Sequence, residues 1–167
     1  MLRAVLFLML LVQLACSSVP TRGFKAASPV ATADTLGAQK LDQAVLPDVY
    51  AGRQLMVGNG GGFTGQTTTY YLLDNGRLYR KRSRDPSYHL IGIQNAATTR
   101  RVFRAAENQC KIKTTTFDEP GNVSRFVGWQ QGKQTYKVTW ATGNSTVPAN
   151  YPKFYNAFMA MIPASAR

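Results

Sequence analysis

Acidic residues are scarce in this chain. Of its 167 residues only 8 are Asp or Glu, against 20 Lys or Arg, and there is 1 His. So small a stock of carboxylate and imidazole leaves little material for a metal centre or for acid–base chemistry. Cysteine is as sparse: Cys16 and Cys110 alone cannot make a disulfide-stapled scaffold. No apolar run approaches the roughly 18 residues that a membrane-spanning helix needs. Hydrophobic residues make up 44 % and charged ones 17 %, which excludes a disordered chain. What remains is the composition of one basic globular domain, with a formal net charge of +12.

The N-terminal residues carry an address. Met1-Leu2-Arg3 is a short positive segment, and Ala4 to Val12 is uninterruptedly apolar. That pattern reads as a signal peptide over residues 1–15. The run ends at Leu14-Ala15-Cys16-Ser17. A small residue directly before a Cys resembles a bacterial lipobox, and the resemblance implies that Cys16 carries a lipid and anchors the chain to a membrane. The usual Leu three places before the Cys is Gln13 here. An ordinary secretory signal, cut after Ser17 or Ser18, therefore stays open and gives a periplasmic or secreted protein. Both readings place the chain in or beyond a bacterial cell envelope, where nucleic acid is not an expected partner. Residues 16–45 are small, polar and Pro-containing and read as a flexible tether. Residues 46–167 read as a single domain.

Within that domain Gln54 to Val57 reads as a first strand and Thr67 to Leu73 as a second. Asp74-Asn75-Gly76 is a hairpin signal of the type I′ kind, with Arg77 to Arg82 pairing back as a third strand. Pro86 closes this unit. Asn95 caps a helix from Ala96 to Asn108, in which Val102, Phe103, Ala106 and Cys110 follow a 3.6-residue period. Arg100, Arg101 and Arg104 fall on its other side. Lys111 to Phe117 reads as a further strand with Ile112 facing inward, and Glu119 to Asn122 as a turn. Val123 to Gln130 and Thr135 to Ala141 make a second hairpin around Gln131-Gly132-Lys133. Tyr151 to Ile162 closes the chain as a helix whose apolar stripe is Tyr151, Phe154, Tyr155, Phe158, Met161 and Ile162. The order β-β-β-α-(β)-β-β-α predicts an α+β fold: an antiparallel sheet built from two hairpins, with two helices packed on one face.

Two local features could bind something. Gly60, Gly61, Gly62, Phe63, Thr64 and Gly65 satisfy GxGxxG in form, but a strand follows, so no helix N-terminus is available for a dinucleotide. Two readings stay open: a glycine-permitted bend with Phe63 as its anchor, and a binding loop. Arg77, Arg80, Arg82 and Arg84 are dense, and the last three share one face of an extended strand. They could bind the phosphates or sulfates of a lipid headgroup, lipopolysaccharide or polysaccharide. The alternative is a solvated face whose charge discourages edge pairing. His89 reads as structural, because neither HExxH nor GxSxG is present. Asp118-Glu119 reads as a solvated turn. Cys110 lies on the apolar stripe of its helix, which argues for burial over reactivity. No catalytic residue, metal ligand set or cofactor motif can be named.

The segment VGNGGGFTGQTTTYYLLDNGRLYR, the later Pro120-Gly121-Asn122, and Trp140 followed by a Tyr/Phe-rich terminal helix resemble a group of bacterial lipoproteins with a GGGFxG loop. Gly61-Gly62-Phe63-Thr64-Gly65 also resembles, more distantly, the SGGFAG element of emfourins, small protein inhibitors of thermolysin-like metallopeptidases. Thr64 stands where that element has Ala, and this domain is longer and more basic. The resemblance implies a non-enzymatic module that binds a protein through the glycine loop, in its sharpest form a peptidase inhibitor. Binding of anionic envelope ligands through the four arginines is the alternative.

Overall fold

The computed structural model describes residues 45–167. The signal-peptide and Cys16 readings, and all of the expected tether except Val45, lie outside the described residues. Seven strands and two α-helices follow in the order β1 (Arg53–Gly61), β2 (Gln66–Leu73), β3 (Arg77–Arg82), β4 (His89–Ile93), α1 (Ala96–Arg104), β5 (Asp118–Glu119), β6 (Val123–Gln131), β7 (Gln134–Ala141) and α2 (Asn150–Ala160). The strands form a single sheet in the order β4-β3-β2-β1-β6-β7-β5. Every pairing is antiparallel except that of β5 with β7. The fold is α+β, as the element order predicts.

One face of the sheet carries the core. Leu55 on β1 pairs in register with Leu72 and Trp129, and Val57 with Tyr70 and Val127. Side chains two apart on a strand share a face, so these rows stack on one side. Phe103 and Ala106 from the first helical segment, and Tyr151, Phe154, Tyr155 and Phe158 from α2, join the same buried cluster. Trp140 meets Tyr155 edge-on at 5.9 Å. Each such large side chain, removed from water, contributes roughly 1.5–3 kcal/mol before entropy is counted.

Several local expectations need correction. β1 does not stop at Val57 but runs on to Gly61, so Gly58 and Gly60 lie inside the strand. A Cβ at Gly58 would stand 2.2 Å from the Thr68 carbonyl oxygen and 2.6 Å from Phe126 Cζ, so the glycine makes room for the neighbouring strand's backbone and for that ring. The Asp74-Asn75-Gly76 connection is a hairpin, but not of type I′. Gly76 alone of the three has positive φ (91°), and its N–H bonds Leu73 O at 2.9 Å. That is the three-residue loop in which a type I turn is closed by a left-handed glycine. β4 was not expected, and it extends the first unit from three strands to four. Lys111 to Phe117 is not a strand. Lys111 has φ 53°, and its carbonyl takes the N–H groups of Thr114 and Thr115, so the backbone bonds are spent locally. Ile112 is nevertheless fully buried. Asp118-Glu119 is solvent-exposed, as expected, but forms a short parallel edge strand, not a turn.

Both helices lie where periodicity places them. Asn95 Oδ1 accepts the N–H of Thr98 at 2.8 Å, the expected N-cap. Beyond Arg104 the helix widens into a π-turn over Ala105–Gln109, closed by Cys110 N–H on Ala105 O at 2.9 Å. The extra residue in that turn brings Glu107 toward β6 while Ala106 and Cys110 stay buried.

Candidate functional site: the β1–β2 hairpin tip

Gly62, Phe63, Thr64 and Gly65 connect β1 to β2. Gly61, Gly62 and Gly65 hold φ values of 103°, 71° and 61°, a region that L-residues with side chains rarely adopt. Glycine is therefore what lets the strand pair turn here. The turn is braced from both sides. Gly62 N–H bonds Asn122 O at 2.6 Å, from the loop before β6, and Gly65 N–H bonds Gly62 O at 3.1 Å. Arg84 Nη2 reaches Thr64 O at 3.5 Å from beyond β3.

Phe63 sits at the apex with 107 % relative exposure. It anchors nothing, which corrects the expectation of Phe63 as an internal anchor. Val123, 42 % exposed, lies against Gly62, the residue before Phe63 in the chain. The tip thus presents an apolar ring on a braced backbone, with an arginine at its edge. Gly60 and Gly61, predicted with this loop, belong to the end of β1; a Cβ at Gly61 would collide with the Asn122 carbonyl.

The four arginines do not come together. Arg80 is half-buried beneath the chain terminus and donates from Nη1 to Ala166 O at 3.3 Å, the same oxygen that Tyr70 Oη reaches at 3.1 Å. Arg82 follows on the same face of β3, and Arg84 lies in the turn after it. Arg77 opens the strand with opposite parity, so it starts on the other face. His89 Nε2 lies 3.5 Å from Asp85 Oδ2 at the start of β4, with its side chain 48 % exposed. Cys110 is buried, and burial pushes its thiol up to about 11. Among the described residues no three His, Cys, Asp or Glu side chains gather as a metal site would need.

Sequence reasoning missed the main polar network. Glu107 accepts Trp129 Nε1–H at 2.9 Å and faces Arg53 Nη1 at 3.4 Å and Lys113 Nζ at 3.8 Å. Arg53 also meets Asp74 at 3.4 Å, and Asp74 in turn accepts the Tyr50 hydroxyl. Burial first, then Asp74, pushes the Tyr50 phenol up to about 12. The available signal was Glu107 itself, the one carboxylate in a helical segment otherwise Ala- and Arg-rich. Every acid in this network is satisfied by structural partners, so the network clamps the fold.

No protein-family model matches the sequence, and no curated protein matches it.

Proposed function

We propose that this chain is an exported, lipid-anchored envelope protein that acts as a non-enzymatic binding module, docking on a protein partner through the Gly62–Gly65 tip. Peptidase inhibition is the sharpest form of that reading. The observation that carries it is Phe63: a fully exposed aromatic ring on a hairpin apex braced by Asn122 and Arg84. The folded chain gains nothing from holding Phe63 in water. A partner pocket that takes the ring gains roughly 1.5–3 kcal/mol from its burial. A braced tip also loses little conformational entropy on docking, which favours affinity. Aromatic residues, Phe among them, are enriched at the cores of protein interfaces. The mechanism is steric: the tip occupies a cleft, and no bond is made or broken.

The test is titration of thermolysin-like metallopeptidases with the chain, alongside capture of partners from envelope extract. Saturable inhibition, or retention of one protein above about 0.5 M salt where charge attraction is screened within a few ångströms, supports the reading. Elution of mixed polyanions at low salt overturns it.

A further inference from the structure

The two helices leave a furrow on the side of the domain away from the sheet. Its central stretch, about 250 Å³, runs between Val102 and Ala105 of the first helical segment and Ala157, Phe158 and Met161 of the second. Its continuation, about 270 Å³, shares Ala105, Phe154 and Ala157 and ends at Lys153. The lining is mostly apolar. Arg101 stands on the wall of the central stretch and also on the wall of a neighbouring depression of about 410 Å³, which it forms with Arg100, Arg104, Ala97 and Gln109.

Arg100, Arg101 and Arg104 are all exposed. Among the described residues none of them has an ion pair: the acids are engaged elsewhere or lie on other elements. The depression contains no carboxylate. Three guanidinium groups without an ion pair among the described residues therefore line a depression beside the apolar furrow, and Arg101 alone belongs to both.

We propose that this face docks on the surface of an anionic phospholipid bilayer. The guanidinium groups take lipid phosphates, for which their planar forks are suited. The furrow takes a segment of acyl chain or glycerol backbone from the lipid so held. Shape decides between docking and carriage. Pockets that carry a small ligand bury most of its surface. This furrow is open, with the exposed residues Arg101, Lys153 and Ala157 in its walls, so it holds part of a lipid that the bilayer still presents. A protein ligand would need acids opposite the arginines and a ridge for the furrow; a bilayer supplies negative charge and apolar matter together at one depth. This site is separate from Phe63 and does not depend on the tip reading.

The test is co-sedimentation of the full chain carrying Cys16→Ser, which removes any acyl anchor, with phosphatidylglycerol-containing and pure phosphatidylcholine vesicles. Binding is expected to favour the anionic vesicles and to fall steeply with salt. Arg100→Gln/Arg101→Gln/Arg104→Gln is expected to lower the affinity for anionic vesicles by about a hundredfold, at roughly fivefold per cation. Ala157→Gln, which puts a polar group into the furrow from an exposed position without altering charge, is expected to lower it several-fold. Lys81→Gln/Lys137→Gln, on the sheet face away from the helices, is expected to change it little. Anionic vesicles should slow amide exchange in the α1 and α2 segments more than phosphatidylcholine vesicles do, which separates this face from attachment through the N-terminal apolar run. Equal protection of those segments by both vesicle types, undiminished protection in the triple variant, or protection confined to the hairpin tip would overturn the proposal.

Discussion

Trp129, fully buried, donates its indole N–H to Glu107 Oε1 at 2.9 Å. Lys113 then lies over the same indole, 4.0 Å from the ring centre, and Arg53 stacks 5.0 Å from the Phe103 ring. Through Arg53 and Asp74 the contact extends to Tyr50, so one carboxylate on a π-turn ties the first helical segment to β1, to β6 and to the segment before β1. Replacing Glu107 with Ala leaves the indole N–H without an acceptor in a buried place. A destabilisation of about 2 kcal/mol is expected. Glu107→Gln should cost less, because an amide oxygen still accepts. Urea denaturation of the two variants checks the order, and an Ala variant as stable as the parent would contradict it.

Phe63 and Gly58 make a contrasting pair. Phe63→Ala removes a ring that touches nothing, so stability should stay within about 0.5 kcal/mol of the parent. Gly58→Val drives a side chain against the Thr68 carbonyl oxygen and into the space of Phe126, and is expected to cost about 3 kcal/mol. Thermal unfolding of both variants separates a surface residue kept for contact from a strand residue kept for packing.

Alkaline pH should weaken the fold. Burial pushes Tyr50 and Tyr88 from 10.0 up to about 12, and raises Tyr70, Tyr71, Tyr151 and Tyr155 in the same direction. The folded chain then holds these protons more tightly than the unfolded chain. Their contribution is fully present below pH 10 and is lost as pH rises from there through about 12. Denaturant midpoints should be flat from neutral pH to about 9 and fall beyond 10. A midpoint that rises over that range would reverse the sign.

Cys110 should be inert in the native state. It is 2 % exposed, its Sγ lies 3.7 Å from Asn150 O, and its thiol is pushed up to about 11. Thiolate is the reactive form, so modification at neutral pH should await unfolding. In a Cys16→Ser background, stoichiometric labelling within minutes without denaturant would contradict the burial.

The fold was legible where period and turn chemistry agree. Tyr151, Phe154, Tyr155 and Phe158 mark α2, and Asn95 with Phe103 marks α1, because a helix must bury one face. What escaped was set by distant partners. Gly58 looked like a loop residue because nothing local shows Phe126 lying across it. Ile112 looked like part of a strand because its burial is real, yet Lys111 turns the chain there. Arg80 looked free until Ala166, from the far end of the chain, supplied its acceptor. The glycines of the tip were legible as a turn, whereas the exposure of Phe63 was not, since an aromatic residue in a sequence reads first as core.

Paired capture is the most direct measurement of the binding-module account. The parent chain and Phe63→Ala are immobilised side by side, envelope extract is passed over both, and each is eluted with a salt gradient. The account predicts one protein held by the parent above about 0.5 M salt and at least tenfold less of it on the variant, the ratio expected for roughly 1.5–3 kcal/mol of lost ring burial. Equal retention by both chains would contradict it, because the tip would then contribute nothing to the contact.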